Sequence, residues 1–185
     1  MKKVFLFFAA VFAVTAASAQ TVTYEGDITL LKNNITYDLA VVYDNLKVND
    51  LPVDQFLPTM DEKFRNSWST EILPYAENAG KSIPIFMNKS NVYDPNNPKY
   101  KFVLTLNSVT LGNVSGVFNP FASPKSGGSI IYGKLEMFDA ASNASLLVVK
   151  FDKVQGVSHL SDSIRWGMAY VDLANRLKKI VKKAK

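Results

Sequence analysis

The chain of 185 residues contains no cysteine and one histidine, His159. The missing cysteine excludes disulfides, thiol nucleophiles and zinc–thiolate shells, so the fold must be held by packing. It also excludes the N-terminal lipid anchor of a bacterial lipoprotein, which needs a cysteine directly after the cleavage site. After the N-terminal segment there is no apolar run of eighteen residues, so no membrane span is predicted there. A phosphate loop is absent too: Ser126-Gly127-Gly128-Ser129 lacks the lysine and the following helix that would cradle a phosphate.

What is present begins with a leader. Lys2 and Lys3 are followed by eleven residues without a polar side chain, Val4 to Val14, and then by Ala17-Ser18-Ala19. A positive start, a short apolar run and a small-x-small end form a secretory signal, and the run is too short to cross a bilayer. Residues 1–19 therefore read as a cleaved signal peptide, with Ala17 and Ala19 at the cleavage motif and Gln20 as the first mature residue. Residues 20–185 read as a single domain, large enough to bury a sizeable core. The product is expected in the periplasm or outside the cell, free rather than lipid-anchored.

The formal charge of +5 is unevenly placed. Two positives leave with the leader, and Arg176, Lys178, Lys179, Lys182, Lys183 and Lys185 fill the last ten residues, so the body between them is slightly acidic. Such a lysine-rich end could touch anionic lipid, but lysines in a last helical turn also complement the helix dipole, which accounts for them more simply. Nucleic acid is not expected as a partner of an exported chain.

Periodicity gives the fold. Gly26 to Leu31, Asn33-Asn34 and the alternating Tyr37, Leu39, Val41, Tyr43 read as a hairpin. Thr59 and Glu62 have capping-box spacing, and Met60, Phe64, Trp68 and Ile72 share one helix face; Pro74 should end or kink this helix, and Gly80 reads as the segment's end. Tyr100 to Leu111 alternates with a slip at Asn107-Ser108, which predicts a β-bulge. Strands through Ile131–Met137 and Leu147–Phe151 complete an antiparallel meander. Ser161 or Asp162 caps a final amphipathic helix with a stripe of Ile164, Met168, Val171, Leu177 and Ile180 or Val181. The order β-β-α-β-β-β-α predicts an α+β domain: a mixed, mostly antiparallel sheet packed on two helices.

Candidates for chemistry are few. His159 has Ser161 and Asp162 nearby in sequence, but a serine and an aspartate before an apolar helix already have a capping role. Asp94, Asn96 and Asn97 superficially resemble a calcium loop, broken by Pro95, Pro98 and the missing downstream glutamate. Asparagine sequons at Asn34, Asn88, Asn113 and Asn143 read as turn residues. Asp162-Ser163-Ile164 resembles a short acceptor motif for O-glycosylation in exported Bacteroidetes proteins, although capping explains two of its residues. No catalytic, metal or cofactor site is expected. The segment Gly116 to Pro124 differs from the rest: Phe118, Pro120, Phe121 and Pro124 sit on a long connection between strands, a composition suited to contact with a partner or to folding back over the core.

A strand with Tyr43-Asp44, a helix carrying Trp68, antiparallel strands and an end running Arg165 to Leu173 with Ala169-Tyr170 inside it resemble uncharacterised secreted proteins of Bacteroidetes. More distantly the pattern is similar to the periplasmic α/β domain of curli-secretion lipoproteins, from which it departs by lacking the lipobox cysteine. The resemblance supplies no catalytic residues, and the aromatic loop without accompanying chemistry points to a non-enzymatic envelope protein that binds another protein through the Phe118–Pro124 loop or an exposed sheet edge. The alternative from the residues is a carrier of a small apolar ligand, held in a cavity between the sheet and residues 164–181. Mass spectrometry of the exported protein should find Gln20 at the N-terminus; an intact Met1 would overturn the leader reading.

Overall fold

A computed structural model describes residues 21–113 and 127–184. Its strands are β1 (Thr21–Gly26), β2 (Thr36–Val42), β3 (Lys47–Val48), β4 (Leu51–Pro52), β5 (Val92–Tyr93), β6 (Tyr100–Thr110), β7 (Ile130–Asp139) and β8 (Ser145–Gln155). The α-helices are α1 (Val53–Phe56), α2 (Glu62–Ser67), α3 (Leu73–Lys81), α4 (Ile83–Met87) and α5 (Asp162–Lys183). The strands form one mixed sheet in the order β1-β8-β7-β6-β2-β5, with β3 beside the far end of β6 and β4 paired to β3. Pairs β2–β6, β2–β5 and β3–β6 are parallel and the others antiparallel, so the domain is α+β with a C-terminal helix.

Period-two sequence builds the sheet's two faces. Tyr100, Phe102, Leu104 and Leu106 of β6, Ile131, Leu135 and Met137 of β7 and Leu147, Val149 and Phe151 of β8 are buried. The opposite face carries Lys134 and Glu136, paired at 2.7 Å, with Lys101 and Lys150 among its exposed residues. One face is packed and the other is wet, as expected for a two-layer domain. The bulge expected at Asn107-Ser108 is present: register shifts between Leu106 and Ser108. A second irregularity lies across β7 and β8 between Ile131 and Gly133, where Lys153 takes a φ of 53°. The two shifts flank Gly133, whose missing Cβ would stand 2.2 Å from the Thr105 carbonyl oxygen. Three strands therefore bend at one level.

The hairpin predicted from Gly26 to Tyr43 does not form. β1 pairs with β8 at one edge, while β2 lies beyond β6 with three strands between. The residues between them form a 3-10 turn, Ile28–Lys32, because Asp27 accepts hydrogen bonds from both the amide (2.9 Å) and hydroxyl (2.6 Å) of Thr29. Ile28 and Leu31, three apart, then point together into the core. Instead, a two-residue hairpin sits at Asn49-Asp50, whose φ values of 49° and 68° suit a type I′ turn.

The helical segment also differs in detail. Asp61, not Thr59, caps α2, accepting from the Phe64 amide at 2.8 Å, while the Thr59 hydroxyl donates back to the Phe56 carbonyl. Trp68 and Ile72 are buried and Met60 and Phe64 pack beside them, as the spacing implied. Pro74 does not end the helix: residues Trp68–Ile72 widen into a π turn and α3 continues through it. Gly80 is not a terminator either. It lies within α3 facing the sheet, where a Cβ would meet Leu104 at 3.0 Å and Val41 at 3.3 Å.

In α5 the buried line is Trp166, Ala169, Tyr170, Leu173, Ala174, Leu177 and Val181, rotated from the predicted stripe; Ile164, Met168 and Val171 are only half-buried. A helix pressed this closely onto a sheet contacts it through small residues and lets large ones fill the sides. A Cβ on Gly156 would stand 2.5 Å from the Ala169 amide nitrogen, and one on Gly128 would stand 2.1 Å from the Gly156 carbonyl oxygen. Gly156→Ala should therefore destabilise the protein by about 3 kcal/mol, since the clash is with backbone. Gly167→Ala should stay within about 1 kcal/mol, because its new methyl meets side chains rather than backbone, the movable edge of the exposed Tyr75 ring at 2.9 Å and the Ala79 Cβ at 3.3 Å, and gains helix propensity. Denaturant midpoints check both, and equal losses would mean that Gly156 is not a special contact.

Candidate binding site

Phe118, Pro120, Phe121 and Pro124 lie outside the described residues, as do Ala17, Ala19 and Gln20. The ends of the Phe118–Pro124 connection are described. The Asn113 amide donates to the Gly127 carbonyl at 2.7 Å, a backbone gate that ties these two residues together. Arg165 stands beneath it, buried. Its Nε donates to the Leu111 carbonyl at 3.1 Å, which also accepts from the Ser129 hydroxyl at 2.7 Å. Its Nη1 donates to the carbonyls of His159 and Leu160, and its Nη2 to the Asp162 carboxylate.

That network decides the positions of the sequence candidates around it. The Asp162 carboxylate is taken by Arg165, and His159 is exposed with Nδ1 accepting the Ser161 amide at 3.2 Å. The three are adjacent but do not form a nucleophile–base–carboxylate line. Ser161 occupies the N-cap position without capping through its side chain; its hydroxyl bonds that of the buried Ser163 at 2.7 Å. Asp94 accepts the amides of Asn96 and Asn97, an Asx turn rather than a cation loop. Among the described residues no group of three or more histidines or carboxylates could hold a metal ion. Asn34 and Asn88, two of the turn asparagines, bond each other at 2.9 Å.

Among the described residues no carrier cavity lies between the sheet and the C-terminal helix. Trp166, Ala169, Tyr170, Leu173, Ala174 and Leu177 are fully inaccessible to a water-sized sphere, so the interface is solid. Packing fills it with aromatic edges: Trp166 stands 6.0 Å from both Trp68 and Tyr43, centroid to centroid.

Two features do offer a surface. The first is β1, hydrogen-bonded to β8 alone among the described residues. Because the Asp27 amide bonds the Leu146 carbonyl, antiparallel alternation turns the backbone groups of Val22, Tyr24 and Gly26 outward. Tyr24 is 43% exposed, and the strand contains no proline or lysine to blunt it. The opposite edge, β5, is only two residues long. The sequence reading missed β1, although Val22 and Tyr24 alternating with Thr23 and Glu25 carry the signal. The second feature is a cleft of about 560 Å³ at the C-terminal end of α5, lined by Leu31, Lys32, Met87, Lys89, Lys178 and Val181 among others. Its cations come from three separate stretches of chain, so no sequence window shows them together.

No helix of the described residues is long and apolar enough to cross a membrane. No family model matches the chain, and neither does any curated protein. Among solved structures, two PelC dodecamers from Paraburkholderia phytofirmans are similar. One is 12% identical with a TM-score of 0.39, covering 84% of this chain and 95% of that one. The other is 10% identical with a TM-score of 0.41, covering 84% and 96%.

The buried phenols have a consequence for stability. The Tyr37 hydroxyl donates to the Lys81 carbonyl at 2.9 Å, and burial pushes its pKa up to about 12. Burial also raises Tyr43 and Tyr170; Trp166 Nε1 donates to the Tyr170 hydroxyl at 3.0 Å, and the nearby Tyr43 hydroxyl is enclosed without a well-formed hydrogen bond. A phenol held neutral in the fold stabilises it fully below the unfolded value of about 10, and the contribution is lost as pH rises from there through the folded value. Denaturant midpoints should be insensitive to these groups near neutrality and fall above pH of about 10, by up to about 1.4 kcal/mol per pH unit for each buried tyrosine. Tyr37→Phe should make that fall shallower; an unchanged slope would mean Tyr37 ionises freely in the fold.

Proposed function

We propose that this chain is an exported, non-enzymatic envelope protein that works by taking an extended segment of another protein onto the open edge of β1. The observation that carries the reading is that edge, where β1 pairs with β8 alone among the described residues and the backbone groups of Val22, Tyr24 and Gly26 face outward. Unpaired N–H and C=O groups in register bind an extended peptide as an added strand, and Tyr24 beside them supplies an aromatic contact. The leader in residues 1–19 and the resemblance to secreted Bacteroidetes proteins support the address. The Phe118–Pro124 segment is the second contact in this reading. Thr21 at the start of β1 pairs with Asp152, three residues from Gln155, which pairs with Ile130 just after that segment.

Proline at position 24 separates this contact from the fold. The Tyr24 amide points away from β8, so Tyr24→Pro removes an outward donor while leaving the β8 ladder in place. In affinity capture from the native envelope, a protein retained by the wild-type chain should be lost from Tyr24→Pro with the circular dichroism unchanged. The same proteins retained by both would overturn the edge as the contact. A partner kept by Tyr24→Pro and lost from the double variant Phe118→Ala, Phe121→Ala would move the contact to the loop.

A further inference from the structure

The cleft at the foot of α5 is assembled from distant pieces that are locked together. Asn91, itself buried, accepts the Ile35 amide at 3.1 Å and donates to the Pro84 carbonyl at 2.8 Å, joining the turn that carries Leu31 and Lys32 to the helix that carries Met87. The Asn88 side chain donates to that of Asn34 across the same seam. Lys32 Nζ donates to the Ala184 carbonyl at 2.7 Å and fixes the end of α5 as the third wall. The floor is apolar, made by Leu31, Met87 and Val181, each 7% exposed.

The rim is of one sign. Lys32, Lys89, Lys178 and Lys182 surround the cleft, and among the described residues no carboxylate lines it. Lys178 and Lys182 are one helical turn apart and so face it together. Lys89, Lys178 and Lys182 pair with no carboxylate among the described residues. Lys179 and Lys183 extend the positive field next to it, and no acidic residue follows Asp172. A cationic rim over an apolar floor is complementary to a molecule with an anionic head and a hydrocarbon body, and neither half alone would satisfy both surfaces. Clustered lysines with an apolar contact also match what a peripheral protein needs at an anionic bilayer surface.

We infer that this cleft docks the protein on a membrane surface by receiving the anionic headgroup and upper acyl chain of a phospholipid. The inference is independent of the β1 edge, which lies on the sheet.

The test is co-sedimentation of the protein with vesicles of phosphatidylglycerol and phosphatidylcholine, against vesicles of phosphatidylcholine alone. Binding is expected only to the anionic vesicles, weakened about tenfold or more by the double reversal Lys178→Glu, Lys182→Glu. Both lysines are exposed, so the fold is retained. The control reversal Lys63→Glu, Lys101→Glu changes net charge equally at exposed sites elsewhere and should bind within about twofold of wild type. Soluble glycerophosphate, the head without the chains, should not displace the protein. The inference is overturned by equal binding to both vesicle types, by equal losses in the two double variants, or by glycerophosphate competing as well as the lipid. Retention on dextran sulfate without vesicle binding would also overturn it, pointing to an acidic polysaccharide.

Discussion

The constraint on which the rest depends is a contact with no side chain in it. Gly128 lies against the Gly156 carbonyl, and Gly156 lies against the backbone of Met168 and Ala169 in α5. Loop, strand end and helix are stacked main chain on main chain, closer than any Cβ allows. Once α5 sits at that depth, the positions nearest the sheet must be small, and Ala169 and Ala174 are. Trp166 and Tyr170 then fill the space to the side, against Trp68 and Tyr43, while Gly80 lets α3 approach the Tyr170 ring and Leu104.

The same depth fixes Arg165. A guanidinium at 4% exposure is costly unless its donors are used, and here they reach three carbonyls and one carboxylate. Those acceptors belong to the end of β6, the turn before α5 and the helix's own first turn. Arg165 thus ties together the places where the chain enters and leaves the sheet, directly below the gate formed by Asn113 and Gly127. The buried charge adds orientation: only one placement of α5 satisfies it, whereas an apolar contact would tolerate sliding.

What was legible in the sequence was what local periodicity determines. The bulge at Asn107, the β6–β7–β8 meander and the shared face of Phe64, Trp68 and Ile72 follow from spacing alone, whereas Met60 lies in extended backbone before the Asp61 cap. The hairpin predicted from Gly26–Leu31 and the Tyr37–Tyr43 arm does not form, because Asp27 captures Thr29 into a turn of period three and β2 finds its partners in β5 and β6. The buried line on α5 is rotated from the expected stripe because a hydrophobicity pattern ranks Ile164 and Met168 above Ala169 and Ala174, while the contact with Gly156 selects for size. Of the two outcomes expected at Pro74, the helix does not end there but runs on through the π turn at Trp68–Ile72. The lysine cleft was illegible for a topological reason: Lys32, Lys89 and Lys178 become neighbours only after β2, α4 and α5 have been placed.

Helix α5 also sets the distance between the two surfaces. Its N-terminus lies at the Arg165 network below the gate, and its C-terminus at the lysine rim; 22 residues of helix put these about 33 Å apart. β1 starts at the gate end, and the chain after it runs through Asp27 to Lys32 at the cleft. The positive field at one end is screened within about 8 Å in physiological salt, so it does not reach the other. A chain bound to an anionic surface by its lysine end would therefore leave the gate, and the start of the open strand edge, at the far end of α5 and outside that field. The rigidity that makes this geometry fixed comes from the glycine contact under α5, so a side chain at Gly156 would loosen both surfaces at once while altering neither directly.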